Sequence, residues 1–143
     1  MHRILRTLVV ALVATVASTS SLAAQDFKVI VNSANPTSEL SIDATSKLFL
    51  KQSAKFASGT AAQPVDLAKA SAVRAAFSKA VLGRPSSAVE TYWQQQIFSG
   101  KDVPPPAKAS DDDVIAFVKA NPGAIGYVSA GASTAGVKVI DVK

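Results

Sequence analysis

The sequence contains no cysteine, one histidine and one methionine among its 143 residues. These two are His2 and Met1, at the extreme N-terminus. Beyond residue 2 the chain therefore cannot form a disulfide, use a cysteine nucleophile or build a Ser-His-Asp triad. Zinc sites that need imidazole or thiolate ligands are excluded for the same reason. We predict a protein that is not an enzyme and that has no metal site and no cofactor.

Charged residues are also sparse. They make up 17% of the sequence, whereas hydrophobic residues make up 48%, a balance that indicates a globular protein and not a disordered one. The net charge of +5 falls to +3 when Arg3 and Arg6 are left out, because each contributes one positive charge. A net positive charge this small does not attract a polyanion strongly, and we predict that nucleic acid is not a partner.

The N-terminal segment has the pattern of a secretory signal peptide. Two arginines precede an apolar run over residues 8–16, and small residues follow. Cleavage after Ala23 places Ser21 and Ala23 at the two positions that require small side chains, so residues 1–23 are predicted to be removed. The run is shorter than the ~20 residues of a membrane-spanning helix, although an uncleaved anchor is the alternative. We expect a soluble periplasmic protein in which residues 24–143 form a single domain.

Strands and helices alternate along the predicted mature chain. Strands are predicted over residues 27–31, 64–67, 124–128 and 137–142. Serine caps are predicted to start four helices, at Ser41, Ser71, Ser87 and Ser110. The strand at 27–31 is apolar on both faces, which is typical of a parallel sheet covered by helices on both sides. The order of elements predicts an α/β fold with a mainly parallel sheet and helices on both of its faces.

Helical periodicity also predicts which side chains point inward. The expected inward positions include Ile42 in the first helix, Ala80 in the second, and Trp93 and Ile97 in the third. The third helix is expected to open with a capping box, formed by the Ser87 cap and Glu90 three residues later. The pair Tyr92-Trp93 could instead be a stacking platform for a ligand, but its spacing favours the core.

The acidic run Asp111-Asp112-Asp113 allows two interpretations. Carboxylate oxygens are ligands for hard cations such as Ca²⁺ and Mg²⁺. Three successive helical residues point in different directions, however, and carboxylates in a first helical turn face the positive end of the helix dipole. The dipole interpretation is therefore favoured, and we predict no metal at this run.

The helix that begins at Ser71 offers a candidate ligand site. Ser71 is followed by the short side chains of Ala72 and Val73, so a hydroxyl, free backbone N–H groups and the positive end of the dipole lie together. Such a helix start can hold an oxyanion, and Arg74 would add a charged donor if its side chain folded back toward the cap. The alternative is that Ser71 only caps the helix. We retain residues 71–74 as the candidate ligand-binding residues.

Three segments resemble the phosphate-binding proteins of ABC importers when they are taken together. The first is Val29-Ile30-Val31-Asn32 with Asn35-Pro36, followed by Leu40 to Phe49. The second is Ser71-Ala72-Val73 with Phe77 and Leu82, and the third is Asn121-Pro122-Gly123-Ala124-Ile125-Gly126-Tyr127. The last segment is similar to the family's Pro-Gly-Ala-Ile-Gly-Tyr signature and is the most specific of the three. The resemblance implies one lobe of a type II periplasmic-binding-protein-like fold. It also implies phosphate or another small oxyanion as ligand and a membrane transporter as partner.

The sequence departs from this family in ways that leave two functions open. Asp66 lies in the neighbourhood where the family has an arginine, and Ala72 and Val73 replace the glycine and threonine of its Ser-Gly-Thr turn. The chain is also long enough for only one of the family's two lobes. One function is therefore oxyanion binding for an ABC importer, in which self-association or another subunit completes the cleft. The alternative is a one-lobe protein without anion affinity that binds an envelope partner.

Overall fold

The structure is a computed structural model, and it describes residues 26–143. The signal peptide predicted for residues 1–23 lies outside these residues. The described chain forms seven strands: β1 (Phe27–Asn32), β2 (Glu39–Leu40), β3 (Gln63–Pro64), β4 (Asp66–Leu67), β5 (Ala107–Lys108), β6 (Ala124–Ser129) and β7 (Val137–Val142). It also forms four α-helices: α1 (Ile42–Phe49), α2 (Ala72–Phe77), α3 (Ser86–Phe98) and α4 (Asp111–Ala120). A π-helical segment, Ser78–Leu82, continues α2 without a break.

The main sheet has five strands in the order β2-β7-β1-β6-β3. Its long central strand, β1, pairs antiparallel with both β6 and β7, whereas the two-residue strands β2 and β3 pair parallel with their neighbours. The predicted α/β class is confirmed, but a mainly parallel sheet is wrong for the long strands. An apolar strand indicates only that both of its faces are covered. A covered antiparallel strand has the same pattern, so the pattern does not give the strand direction.

Helices cover both faces of this sheet, as predicted. On one face, the Asn32 side chain of β1 donates a hydrogen bond to the Val118 carbonyl of α4 at 2.8 Å. On the other face, the Phe77 ring of α2 stacks on the Tyr127 ring of β6, with centroids 3.9 Å apart and planes only 5° from parallel. Neighbouring positions on a strand point to opposite faces, so β1 and β6 are buried on both sides.

Three of the four predicted serine caps are confirmed. The hydroxyl oxygens of Ser41, Ser71 and Ser110 each accept a hydrogen bond from the backbone N–H three residues later. Short polar side chains accept hydrogen bonds from the free N–H groups of a first helical turn, and a cap of this kind can be predicted from the neighbouring residues alone.

Among the described helices, none is both long enough and apolar enough to cross a bilayer.

The capping box predicted for α3 is wrong. The N-cap is Pro85, two residues before the predicted Ser87 cap, and it makes no side-chain cap hydrogen bond, so the helix begins at Ser86. Pro85 has φ −67° and ψ 157°, an extended conformation that places it outside the helix and leaves Ser86 and Ser87 in the first helical turn. Here it takes precedence over the cap that the Ser87 and Glu90 spacing predicts.

Inward positions were predicted correctly only in part. Trp93 is buried against Leu50 and Val89, which confirms its role in the core. Ile42, Ala80 and Ile97 are exposed, contrary to prediction. Ala80 lies in the π-helical segment, whose wider turn rotates later residues away from the face that an α-helical period predicts.

The predicted strand over residues 64–67 divides into two. At its centre, the Val65 N–H donates to the Ile125 carbonyl of the main sheet at 2.9 Å. The next N–H, on Asp66, turns to the Pro106 carbonyl at 2.9 Å, and β4 pairs with β5 in a separate two-stranded sheet.

Candidate functional site

Two helices begin at the edge of the fold where the strands β4, β5 and β6 end. Helix α2 starts five residues after β4, and α4 starts three residues after β5. The first residue of α4, Asp111, contacts Ser129, which is the last residue of β6. The predicted residues 71–74 therefore lie at the edge where α/β folds commonly place a ligand.

The hydroxyl hydrogen of Ser71 is not used when this residue caps α2. Its side-chain oxygen accepts from the Arg74 backbone N–H at 3.3 Å, and its own N–H donates to the Ala68 carbonyl at 2.9 Å. The hydroxyl proton takes no part in either bond. The N–H groups of Ala72 and Val73 occupy the first helical turn, where no acceptor exists within the helix. Together these groups form a small set of donors, and the side chain of Ala72 beside them is exposed.

The Arg74 side chain turns away from solvent and back toward β4. One guanidinium nitrogen, Nη1, donates to the Leu67 carbonyl at 3.0 Å. The other, Nη2, lies 3.4 Å from Oδ2 of Asp66, and the two side chains are only 8% and 13% exposed. The guanidinium therefore contacts β4 and not the Ser71 cap, toward which the sequence hypothesis would have it fold, and its positive charge is paired with a carboxylate of the same chain.

Tyr127 completes this buried polar cluster. Its hydroxyl donates to Oδ1 of Asp66, which also accepts from the Leu67 N–H at 2.9 Å. Burial raises the pKa of Asp66, and this outweighs the lowering effect of Tyr127, Arg74 and the Leu67 N–H. The pKa of Tyr127 is raised as well, first by burial and then by the adjacent Asp66 carboxylate.

Sequence reasoning missed Tyr127 as a member of this cluster. The residue is 61 positions away from Asp66, and no local spacing connects the two. One signal was available, because a tyrosine in a strand buried on both faces needs a polar partner for its hydroxyl. A search for the facing carboxylate would have led to Asp66 once the sheet register was known.

At the start of α4, the carboxylate of Asp111 contacts the last residue of β6. Oδ1 of Asp111 accepts from the Ser129 N–H at 3.1 Å, and Oδ2 accepts from the Ser129 hydroxyl. Asp112 and Asp113 are exposed and point elsewhere. The three carboxylates do not converge, which agrees with the helix-dipole interpretation of this run.

The glycines of the Asn121–Tyr127 motif are required by packing. A Cβ atom on Gly126 would lie 2.7 Å from Val65 Cγ1 and 2.8 Å from Val114 Cγ1. On Gly123 it would lie 2.0 Å from the backbone oxygen of Ala61. The motif therefore lets β6 approach its neighbours closely, and it places Tyr127 against Asp66.

Solved structures that share this architecture include proteins described as phosphate receptors or phosphate substrate-binding proteins. An ABC-type phosphate transport receptor from Vibrio cholerae superimposes with a TM-score of 0.63 at 18% identity, over 82% of this chain. A putative phosphate ABC transporter substrate-binding protein with bound phosphate, from Clostridium perfringens, gives 0.63 at 17% over the same share. PstS from Borrelia burgdorferi gives 0.63 at 11%. The chain has the fold of a phosphate-type substrate-binding protein.

This substrate-binding-protein fold is present in part. The matched region spans 46% of the Vibrio cholerae receptor, 44% of the Clostridium perfringens protein and 47% of the Borrelia burgdorferi protein. That extent agrees with the single lobe expected from the sequence. No protein-family model matches the chain, and no curated protein matches its sequence.

Proposed function

We propose that this chain is an extracytoplasmic solute-binding-type protein that binds phosphate or a similar small oxyanion for an ABC importer. The observation that carries the proposal is the fold shared with a phosphate transport receptor and with a putative phosphate substrate-binding protein that was solved with bound phosphate. Those two proteins are named as a receptor and a binding protein, so the proposed role is recognition without catalysis. Export by a signal peptide over residues 1–23, with residues 24–143 as one periplasmic domain, is part of the proposal.

The proposed oxyanion site is the start of α2. The Ser71 hydroxyl and the N–H groups of Ala72 and Val73 would donate to the anion, and the helix dipole would favour its negative charge. Arg74 would contribute through the field of its guanidinium, reduced by the paired Asp66 carboxylate. With so much of the arginine's charge neutralised, we expect weak binding of phosphate, in the millimolar range on the order of −4 kcal/mol.

A second candidate function is supported by the same ion pair. Asp66 and Arg74 satisfy one another inside the fold, so the chain has no need of an external anion to neutralise this arginine. In this alternative the chain is a one-lobe protein that binds another envelope protein and has no anion affinity.

Calorimetric titration with inorganic phosphate tests the first function. We expect saturable binding that Ser71→Ala weakens by about tenfold, as for the loss of a hydrogen bond to a charged group. Asp66→Asn should strengthen binding, because the Arg74 charge is then no longer neutralised. The matched control is Ser41→Ala, which removes the same kind of helix cap from α1 and should leave phosphate binding unchanged.

A flat titration at millimolar phosphate, for the unmodified protein and for Asp66→Asn, would refute the oxyanion function. Capture experiments with envelope extract then test the alternative. A specific partner that still binds Ser71→Ala would support the interaction role, and recovery of none would count against it.

A further inference from the structure

The carboxylate of Asp66 is bound by its own chain in the way that a ligand would be. Its two oxygens meet donors from three separate elements: the Leu67 N–H of β4 at 2.9 Å, the Tyr127 hydroxyl of β6 and, at 3.4 Å, Nη2 of Arg74 in α2. We call these three donors the carboxylate cradle. One cation together with two neutral donors suits the two oxygens and the single negative charge of a carboxylate.

The cradle lies in the interior, where its cation needs a counter-ion. The Arg74 and Asp66 side chains are 8% and 13% exposed, and Tyr127 is fully buried. Within residues 26–143, Asp66 is the one acidic side chain that pairs with Arg74. A buried guanidinium without an anion is strongly unfavourable. The fold therefore favours a negative charge in the cradle, whatever molecule supplies it.

Each donor of the cradle acts on the carboxylate in the direction expected for anion binding. Burial raises the pKa of Asp66, and the Tyr127 hydroxyl, the Arg74 charge and the Leu67 N–H all oppose that shift. A group that lowers the pKa of a carboxyl stabilises its ionised form. The three donors therefore stabilise a bound carboxylate together, while burial keeps its net affinity modest.

A surface groove leads to the cradle. Arg74 forms part of its wall beside Trp93, and its volume is about 200 Å³. Lys69 and Glu90 also line the groove, but they pair with each other at 3.5 Å. The groove is several times larger than the ~30 Å³ that one water molecule takes up in the liquid, so a small ion can reach Arg74 from solvent.

We propose that the carboxylate cradle is a binding site for a small carboxylate ion, such as formate, and that Asp66 is a built-in ligand that keeps the site filled. An ion from solution needs the same three donors that Asp66 uses. Asp66 outcompetes it because its backbone is already held in place, with its N–H donating to the Pro106 carbonyl at 2.9 Å. The unmodified protein therefore excludes carboxylate ions, and removal of this one side chain opens the site.

Chemical rescue of Asp66→Ala by formate tests this proposal. The variant leaves the Arg74 guanidinium buried without its counter-ion, so it should be less stable than the unmodified protein at pH 7. We expect about 100 mM sodium formate to raise the Tm of Asp66→Ala by about 5 °C relative to sodium chloride at the same concentration, because a ligand that binds only the folded state stabilises it. The unmodified protein, whose cradle is filled, should show the same Tm in both salts.

Asp111→Ala is the matched control. It removes another carboxylate whose oxygens accept two hydrogen bonds, from the N–H and the hydroxyl of Ser129. None of the ion pairs in the described part of the chain involves Asp111, so its loss leaves no cation without an anion. Formate should therefore not rescue this variant. Adding Tyr127→Phe to Asp66→Ala removes one donor and should weaken formate binding about tenfold in the same titration.

Each outcome of the rescue experiment decides the proposal. If Asp66→Ala is unfolded in chloride, recovery of its circular dichroism in formate supports the proposal as a rise in Tm would. The proposal is overturned if formate stabilises Asp66→Ala no more than chloride does, or if Asp66→Ala and Asp111→Ala respond equally. It is also overturned if Tyr127→Phe leaves the affinity for formate unchanged. These measurements contain no phosphate, so their outcome is independent of the proposed phosphate binding at the start of α2.

Discussion

The Asp66 carboxylate and the Arg74 guanidinium form an ion pair inside the fold, with Oδ2 and Nη2 3.4 Å apart. The two residues belong to β4 and α2, so the pair fixes the turn between these elements. Burial of Asp66 and attraction to Arg74 act in opposite directions on the pKa of the carboxyl, and burial prevails. Four predictions follow from this cluster and from the close packing beneath it.

Removing the arginine should destabilise the protein strongly at neutral pH. In Arg74→Gln, the Asp66 carboxylate remains buried without its cation, and we expect a loss of about 3 kcal/mol in the free energy of unfolding. The loss should shrink as pH falls and the Asp66 carboxyl, whose pKa burial raises, takes up a proton. Urea unfolding at pH 7 and pH 4 measures both effects. Lys69→Gln, which breaks an exposed pair with Glu90, is the control and should cost less than about 1 kcal/mol. Equal losses in the two variants would contradict this prediction.

The raised pKa of Asp66 predicts a pH dependence of definite sign. The folded protein binds a proton at Asp66 more readily than the unfolded chain, whose carboxyl titrates near ~3.9. The contribution of this residue to stability is therefore complete below that value and is lost as pH rises through the higher folded pKa. Asp66→Asn keeps the shape and does not titrate.

The free energies of unfolding of the unmodified protein and Asp66→Asn should be compared from pH 3 to pH 7. We expect the difference, unmodified minus variant, to fall with rising pH and then level off. A difference that rises with pH would show that attraction to Arg74 outweighs burial.

Loss of the Tyr127 hydroxyl should affect both stability and titration. Tyr127→Phe retains the ring that stacks on Phe77 but removes a donor to the buried Asp66 carboxylate. We expect a loss of about 1.5–3 kcal/mol at pH 7. This hydrogen bond lowers the pKa of Asp66, so its loss should raise that pKa further. The pH window over which the contribution of Asp66 to stability is lost should therefore move upward. Tyr92→Phe, whose hydroxyl donates to the neutral Leu50 carbonyl at 2.9 Å, should cost about 1 kcal/mol and leave the window in place.

The close approach of β6 to its neighbours makes Gly126 sensitive to a single methyl group. Gly126→Ala places a Cβ atom within 2.8 Å of side-chain carbons of Val65 and Val114, both fully buried. Overpacking of this kind costs about 1–3 kcal/mol, which thermal or urea unfolding measures. Gly131→Ala is the control, because nothing lies within 4 Å of its added Cβ. A stability unchanged in Gly126→Ala would show that β6 can move away from α4.

Local chemistry was read correctly from the sequence in several elements. The cap hydroxyls at Ser41, Ser71 and Ser110 act within three residues of their own positions, so neighbouring residues suffice to predict them. The long strands were placed correctly for the same reason, and β7 has the bounds that were predicted. The capping box of α3 failed because Pro85, just before it, favours an earlier helix start.

The candidate site was predicted less completely than the helices around it. Residues 71–74 do lie together at the start of α2, and that follows from their adjacency in sequence. The partner of Arg74 could not be inferred, because whether its side chain meets Asp66, solvent or a ligand depends on how β4 and α2 pack. Tyr127 could not be placed beside Asp66 without the position of β4 relative to β6.

By itself the sequence determined the α/β class, three of the four helix caps, the absence of thiol groups and the absence of imidazole groups beyond His2. These properties depend on composition and on contacts within a few residues. Only the tertiary structure decided the direction of the long strands, the neutralisation of Arg74 by Asp66 and the position of Tyr127 beside Asp66. Each of these depends on groups brought together from distant segments, and the energy of such contacts is fixed only when the elements pack.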